Sequence, residues 1–227
     1  KQNHVTNNGE CGIYCGDPSQ GDSNGSNILN NVIADNAEGG ICIANSENQK
    51  INNNIIVNNG GAGVALEGTS SKVANATLQH NTLVSNTIAG AEIGAESTVV
   101  LKNNIIASHT VGVKTIHRTA QAELDHTLWF NNMRKTASAG GGLIEASNDV
   151  DGDPRFAGGD DLFQAYHIRK GSAAIDAGMA TGLTEDIDEQ NRAAPDMGVD
   201  EFEYALQLTP NYRETIDTPP PSSSYSY

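Results

Sequence analysis

The sequence predicts an all-β chain wound as a solenoid of about six parallel coils, with an irregular C-terminal cap. Three observations carry this reading. A six-residue motif recurs through residues 1–132, glycine follows it at a fixed phase, and no stretch shows the apolar stripe at 3.6-residue spacing that an amphipathic helix needs. The motif copies are Asn3-His-Val-Thr-Asn-Asn8, Asn31-Val-Ile-Ala-Asp-Asn36, Asn54-Ile-Ile-Val-Asn-Asn59, Asn81-Thr-Leu-Val-Ser-Asn86, Asn104-Ile-Ile-Ala-Ser-His109 and Thr127-Leu-Trp-Phe-Asn-Asn132, with starts 28, 23, 27, 23 and 23 residues apart.

Each repeat holds three short strand-like pieces, as in Lys50-Ile51-Asn52, Ile55-Ile56-Val57 and Gly63-Val64-Ala65-Leu66. So small a unit cannot bury its own apolar face, so the units must stack and share an interior. Stacking at about 4.8 Å places Asn3, Asn31, Asn54, Asn81 and Asn104 in one column, and Asn8, Asn36, Asn59, Asn86 and Asn132 in a second. Amides so aligned form side-chain ladders. Asparagine also tolerates the left-handed backbone of a tight corner, so the 25 asparagines, 22 of them before residue 133, have a structural cause. Gly39-Gly40, Gly60-Gly61, Gly63, Gly90 and Gly112 read as turn signals at one phase. Residues 19–27 and 68–76 are extra to the repeat and rich in Ser, Gly and Asn, which predicts loops on one face.

These segments resemble the right-handed parallel β-helix of the pectate-lyase-like superfamily, through its Asn-x-Ile-x-x-Asn-x-x-x-Gly-Ile-x-Leu coil repeats. The resemblance covers residues 1 to about 132. It implies that the Gly-Ile-x-Leu piece forms a first sheet and that the first Asn of each motif sits at the corner between the second and third sheets. It also implies that the outward face of the first sheet meets polysaccharide.

After residue 132 the motif stops and the chain turns acidic, with 17 acidic against 7 basic residues from 133 onward. Asp151-Gly-Asp153-Pro154-Arg-Phe156, Asp161-Leu-Phe163, Gly171-Ser-Ala-Ala-Ile175-Asp176-Ala-Gly178, Asp186-Ile-Asp188-Glu-Gln-Asn-Arg192 and Asp196-Met-Gly198-Val-Asp-Glu201-Phe202 follow in order. Together they resemble the end region of secreted β-helix proteins of the choice-of-anchor Q type, with Ala173, Glu189 and Val199 departing from its usual Pro, Gly and Ala. An open solenoid end needs a cover. Residues 133–204 are expected to supply it, with Trp129, Phe130, Phe156 and Phe163 making its apolar contacts. Residues 205–227, ending in Pro and Ser, read as a linker or tail of a longer secreted or cell-surface protein.

A balance of 13 basic against 28 acidic residues, net -15, argues against nucleic acid as a partner, and no run is apolar enough for a membrane span. If Ile41, Val64, Ala91 and Val113 point inward, alternation puts Tyr14, Cys42, Ala65, Glu92 and Lys114 outward in one column. Tyr14, Glu67, Glu92 and Lys114 are the candidate polysaccharide contacts. The superfamily's calcium-dependent lyases abstract a proton beside a uronate carboxylate with Lys and Arg, and Glu92, Lys114 and Arg118 or Arg134 could imitate them. The competing reading is an ordinary Glu92–Lys114 ion pair on neighbouring rungs. Asp149, Asp151 and Asp153 alternate around a glycine as calcium loops do, and Asp186-Ile-Asp188 is a shorter version. The alternative is an Asp-rich turn bonded to its own backbone.

His80 and His126 precede the ladder position and are expected to be solvated corner residues. The three cysteines allow a Cys11–Cys15 bridge or a free Cys42 facing Tyr14. The functional expectation is a polysaccharide-binding module without a catalytic site. Its competitors are a carbohydrate-active enzyme and a structural adhesin or filament element.

Overall fold

The computed structural model describes residues 3–16 and 23–203; the tail read at 205–227 and part of the insertion at 19–27 lie outside the described residues. Three parallel sheets run the length of the coil. The first holds Ile13–Cys15, Ile41–Ala44, Val64–Glu67, Ala91–Ile93, Val111–Thr115 and Arg134–Ser138. The second holds Asn27–Leu29, Gln49–Asn52, Ala74–Gln79, Ser97–Lys102, Gln121–Asp125 and Leu143–Ser147. The third holds His4–Thr6, Val32–Ala34, Ile55–Val57, Thr82–Val84, Ile105–Ala107, Leu128–Phe130 and Val150–Asp151. The motif ends at residue 132 but the coil does not: Arg134–Ser138, Leu143–Ser147 and Val150–Asp151 add to all three sheets. Of the insertion at 68–76, residues 68–73 form the loop between Val64–Glu67 of the first sheet and Ala74–Gln79 of the second, and its last three residues belong to that second-sheet strand.

The first Asn of each motif lies at the corner between second and third sheets. There Asn3 donates to Asn31 at 3.0 Å, Asn31 to Asn54 at 3.0 Å, Asn54 to Asn81 at 3.0 Å and Asn81 to Asn104 at 3.1 Å. Each acceptor oxygen also takes the backbone N–H of the Asn on the preceding rung, at 2.9 Å for Asn54 onto Asn81. The remaining amide hydrogen meets a carbonyl, as Asn81 does at Ile51. From Asn31 to Asn104 these side chains are buried and bonded, which is what a buried amide requires, while Asn3 at the first rung is exposed.

The second ladder runs Asn8, Asn36, Asn59, Asn86 at 2.8, 2.8 and 2.9 Å, then passes through an imidazole. Asn86 donates to His109 Nε2, and His109 Nδ1 donates to Asn132 at 3.2 Å. Burial holds the His109 pKa down to about 4 from its ordinary 6.5, so the ring fills the Asn position as a neutral group.

The left-handed corner belongs to the residue before each ladder position and not to the ladder residue itself. Asn30, Asn53, His80, Asn103 and His126 at one corner, and Asn7, Asp35, Asn58, Ser85, Ser108 and Asn131 at the other, all have φ between 50° and 61°. The phase glycines answer a different need. A Cβ on Gly40 would lie 2.6 Å from Gly63 O and from Ile56, and one on Gly63 would lie 2.8 Å from Asn86 Nδ2. They are glycine because the second ladder and the next rung's backbone leave no room.

First- and second-sheet strands alternate between buried and open positions, but Val32–Ala34, Ile55–Val57, Thr82–Val84 and Ile105–Ala107 are buried at every residue. Ile33, Ile56, Leu83, Ile106 and Trp129 face the interior of the coil. Val32, Ala34, Ile55, Val57, Ile105 and Leu128 face outward into a second core, shared with Ile168, Ala174, Ile187, Met197 and Val199. As far as residue 203, the C-terminal segment therefore does not close the end of the solenoid. It runs back along the outside of the third sheet, and parallel strands buried on both faces are what such a layer produces. Phe130, Phe156 and Phe163 pack in this outer core, whereas Trp129 belongs to the inner one.

Three corner side chains hold the strip down. Asn53 donates to Glu185 O at 2.9 Å, His80 meets Asp196 O at 3.2 Å, and Asn103 donates to Met179 O and accepts its N–H. His80 is thus completely buried instead of solvated, and burial, with Arg192 nearby, lowers its pKa to about 3. His126, by contrast, is half-buried and paired with Asp125 at 2.8 Å. Arg192 is buried too, donating to Glu201, to Asn53 and to the carbonyls of Gly198 and Val199. Asp186 and Asp196 take up backbone N–H groups around it, including Glu201 N and Phe202 N. The acidic C-terminal motifs are thereby occupied in folding the strip.

Asn81→Leu leaves the donors of Asn54 without an acceptor, and each buried orphan costs about 1–3 kcal/mol, so urea denaturation is expected to show a loss of about 3 kcal/mol; an unchanged midpoint would refute the ladder account. Acid has a defined effect through His109. Its folded pKa of about 4 lies below its ordinary 6.5, so the unfolded chain gains protons first and stability falls as pH drops from 6.5 to 4. Asp200 and Glu201, raised to about 7 by burial, act in the opposite sense, so the test is the difference from a variant. His109→Asn, which restores the ladder residue, is expected to gain on the wild type by up to roughly 3 kcal/mol between pH 7 and pH 4 in paired denaturation curves.

Candidate functional site

With the third sheet covered, the broad face with the most chemistry is the outside of the first. Its register runs Tyr14, Cys42, Ala65, Glu92, Lys114, Ala137, so the predicted column is present rung by rung. Their strand neighbours Ile41, Ile43, Val64, Leu66, Ala91, Ile93 and Val113 are buried inside. From Tyr14 to Glu92 the column floors a shallow groove of about 230 Å³ with Glu38 and Glu67 on its walls and Ile116 beside it. A second hollow, sharing Glu38, Cys42, Ala65 and Glu92, extends it toward Gly60, Gly61 and Ile88. Tyr14, Ile88 and Ile116 are exposed apolar surfaces along the way. Glu67 crosses to the next rung, where a Cβ on Gly94 would collide with its Oε2.

Lys114 Nζ lies 3.0 Å from Glu92 Oε2, both side chains about three-quarters covered. The ion pair of neighbouring rungs is therefore formed. The two arginines do not join it. Arg134 is level with Val111 and Ala137 with Lys114, while Arg118 lies in the exposed loop after Thr115, so they flank opposite ends of the strand Val111–Thr115. The proposed lyase set of Glu92, Lys114 and an arginine is not assembled. Glu38 was not found by sequence reasoning, although its phase, two residues before Gly40, marks it as the corner position leading into the column.

The cysteines pair in neither expected way. Cys11 bonds Cys42 across 31 residues, with Cα atoms 6.1 Å apart. Cys15 alternates to the interior, where burial raises its thiol pKa, while Cys42 faces out one rung along from Tyr14. The bridge ties the first two rungs at the groove's end.

The three aspartates read as a calcium loop point to three separate tasks. Asp149 continues the first ladder, taking Thr127 N at 3.0 Å and Trp129 Nε1 at 2.8 Å. Asp151 pairs with Lys135 at 2.6 Å, and Asp153 receives Arg155 N at 2.7 Å. Each carboxylate is thus engaged by a different partner, and among the described residues the three do not converge on a common point. Among the described residues, the group able to hold a metal is instead His167, Asp188 and Asp200. His167 Nε2 lies 2.7 Å from Asp188 Oδ2 and 3.6 Å from Asp200 Oδ1. Burial raises Asp200 to about 7, helped by the charges of Asp186 and Asp188. Burial works to lower the His167 pKa, but Asp200 and Asp188 outweigh it and the pKa is raised. Only Asp188 carried a signal in the sequence; the fold supplies the other two.

Residues 1–128 match the family described as the right handed beta helix region. No curated protein and no solved structure matches the chain. No helix among the described residues is long and apolar enough to cross a membrane.

Replacing both Cys11 and Cys42 by Ser is expected to lower unfolding free energy by about 2–4 kcal/mol, measured by urea denaturation. Lys114→Ala, removing one half of a surface pair, is expected to move it by about 1 kcal/mol or less. A larger loss for the lysine than for the bridge would reverse this ranking.

Proposed function

The chain belongs to the right-handed beta helix family, and from that premise we propose that it is an extracellular or cell-surface module that binds polysaccharide along the outward face of its first sheet, without catalysing a reaction there. The observation that carries the reading is the groove: a row of side chains at the rung spacing, with Tyr14 at one end, Glu38, Glu67 and Glu92 along it, and exposed Ile88 and Ile116 beside it. A repeating floor suits a repeating ligand. Carboxylates accept hydrogen bonds from sugar hydroxyls, and an aromatic ring packs on a sugar's apolar face. Three glutamates against one lysine, itself paired with Glu92, and a net charge of -15 favour an uncharged polysaccharide over a uronate. The Cys11–Cys42 bridge supports an oxidising compartment outside the cytosol. Separation of Arg118 and Arg134 from Glu92 and Lys114 supports binding over lyase chemistry.

Affinity electrophoresis through gels containing neutral, amino-sugar and uronate polysaccharides, with calcium and with chelator, tests this. The expected result is retardation by a neutral glycan that is insensitive to chelator and about tenfold weaker in Tyr14→Ala and in a Glu38→Gln, Glu92→Gln double variant. Retardation by none of the glycans would remove the binding reading. Calcium-dependent release of unsaturated uronate, seen by its ultraviolet absorbance and lost in Lys114→Ala, would replace it with the lyase.

A further inference from the structure

The cluster of His167, Asp188 and Asp200 lies on the C-terminal strip, away from the groove, and nothing in the polysaccharide reading uses it. His167 follows the short helix Leu162–Ala165, Asp188 sits on the turn that Asp186 closes by accepting Asp188 N and Gln190 N, and Asp200 comes from the final buried stretch. Three separate parts of the strip thus meet at one imidazole nitrogen. We infer that these residues form a binding site for a divalent transition ion of the zinc class, which staples the strip together over the first rungs of the third sheet.

Three features of the geometry point there. Both carboxylates address the same atom, His167 Nε2, at 2.7 and 3.6 Å. A single Nε2–H can be donated to only one of them, whereas a cation at that point draws both. The opposite ring nitrogen, Nδ1, faces Gln164 O at 3.2 Å, so it carries the hydrogen in the neutral ring and leaves the Nε2 lone pair for a metal. That is the arrangement metal-binding histidines use. Asp200 is likewise pre-positioned, its second oxygen holding Ile168 N at 2.7 Å. Finally, Asp188 borders a cavity of about 450 Å³ shared with His4, Val32, Phe163 and Glu189, so the cluster is open to solvent on its Asp188 side.

The donor set selects the metal. One imidazole with two carboxylates suits zinc and its first-row neighbours, while calcium takes six to eight oxygens, which three side chains do not supply.

The test uses the full chain stripped with chelator and titrated with Co2+, a coloured substitute for zinc. The expected result is one equivalent bound, with visible ligand-field bands, displaced by Zn2+ and not by millimolar Ca2+, and a rise in melting temperature on adding Zn2+. Asp188→Asn and His167→Gln are expected to weaken binding by at least tenfold while Asp151→Asn leaves it unchanged. The unsubstituted chain alone can overturn the proposal: no bands and no thermal shift would show that the three side chains are an imidazolium ion pair and not a site. Equal Co2+ affinity in His167→Gln, with circular dichroism showing a folded chain, would overturn it as well.

Discussion

A buried amide must find partners on both sides, and in this chain those partners are the same amide one rung away. Each ladder Asn offers an oxygen to the rung before and a nitrogen to the rung after, so the register of one coil dictates the register of the next. A slip of one residue would orphan a line of buried donors and turn every inward isoleucine out. The third-sheet strands are only two or three residues long, too short to hold register by their own pairing. The ladders supply the specificity that strand length does not. The tight corners beside them follow, since a left-handed residue must precede each Asn, and so does the glycine column, since the second ladder occupies the space where a Cβ would be.

Order on the third sheet has a second source. Its outward residues are as apolar as its inward ones, so the bare coil would expose a stripe of Val, Ile and Leu along one flank. The C-terminal strip is folded around a buried guanidinium and its carboxylates, and lays Met197, Val199 and Ile187 against that stripe. Burying a charged network is costly unless every member is bonded, and here Arg192 has partners in both the strip and Asn53 of the coil. The polar network thus fixes where the strip sits while the apolar contacts hold it there.

These layers were unequally legible. The ladders, the rung spacing and the outward column from Tyr14 to Lys114 could be read because they are local and periodic: each depends on residues at a fixed phase. The two-sided burial is written just as plainly, in runs such as Ile55-Ile56-Val57 with no polar alternate, but nothing in those runs says which later segment covers them, so an end cover for residues 133–204 is equally compatible with the sequence. The cysteine pairing turns on a single alternation, Cys15 in and Cys42 out, one residue of phase between neighbouring strands. The meeting of His167 with Asp188 and Asp200 had no periodic signal at all, since it depends on how an irregular strip folds on itself. His80 has the local sequence of any other corner residue, and only the strip packed over it distinguishes it.

The three anchors of that strip, Asn53, His80 and Asn103, occupy the same corner on consecutive rungs, and each meets a particular point of a chain that has no repeat. The strip is in effect a gauge laid against a ruler. A repetitive coil can gain or lose a rung by duplication or deletion with little local damage, but inside this span one added rung would move two anchors out of step with a third. Growth or shrinkage of the repeat is therefore confined to rungs outside the gauged stretch, and the middle of the solenoid is held to a fixed number of turns by a segment that contains none.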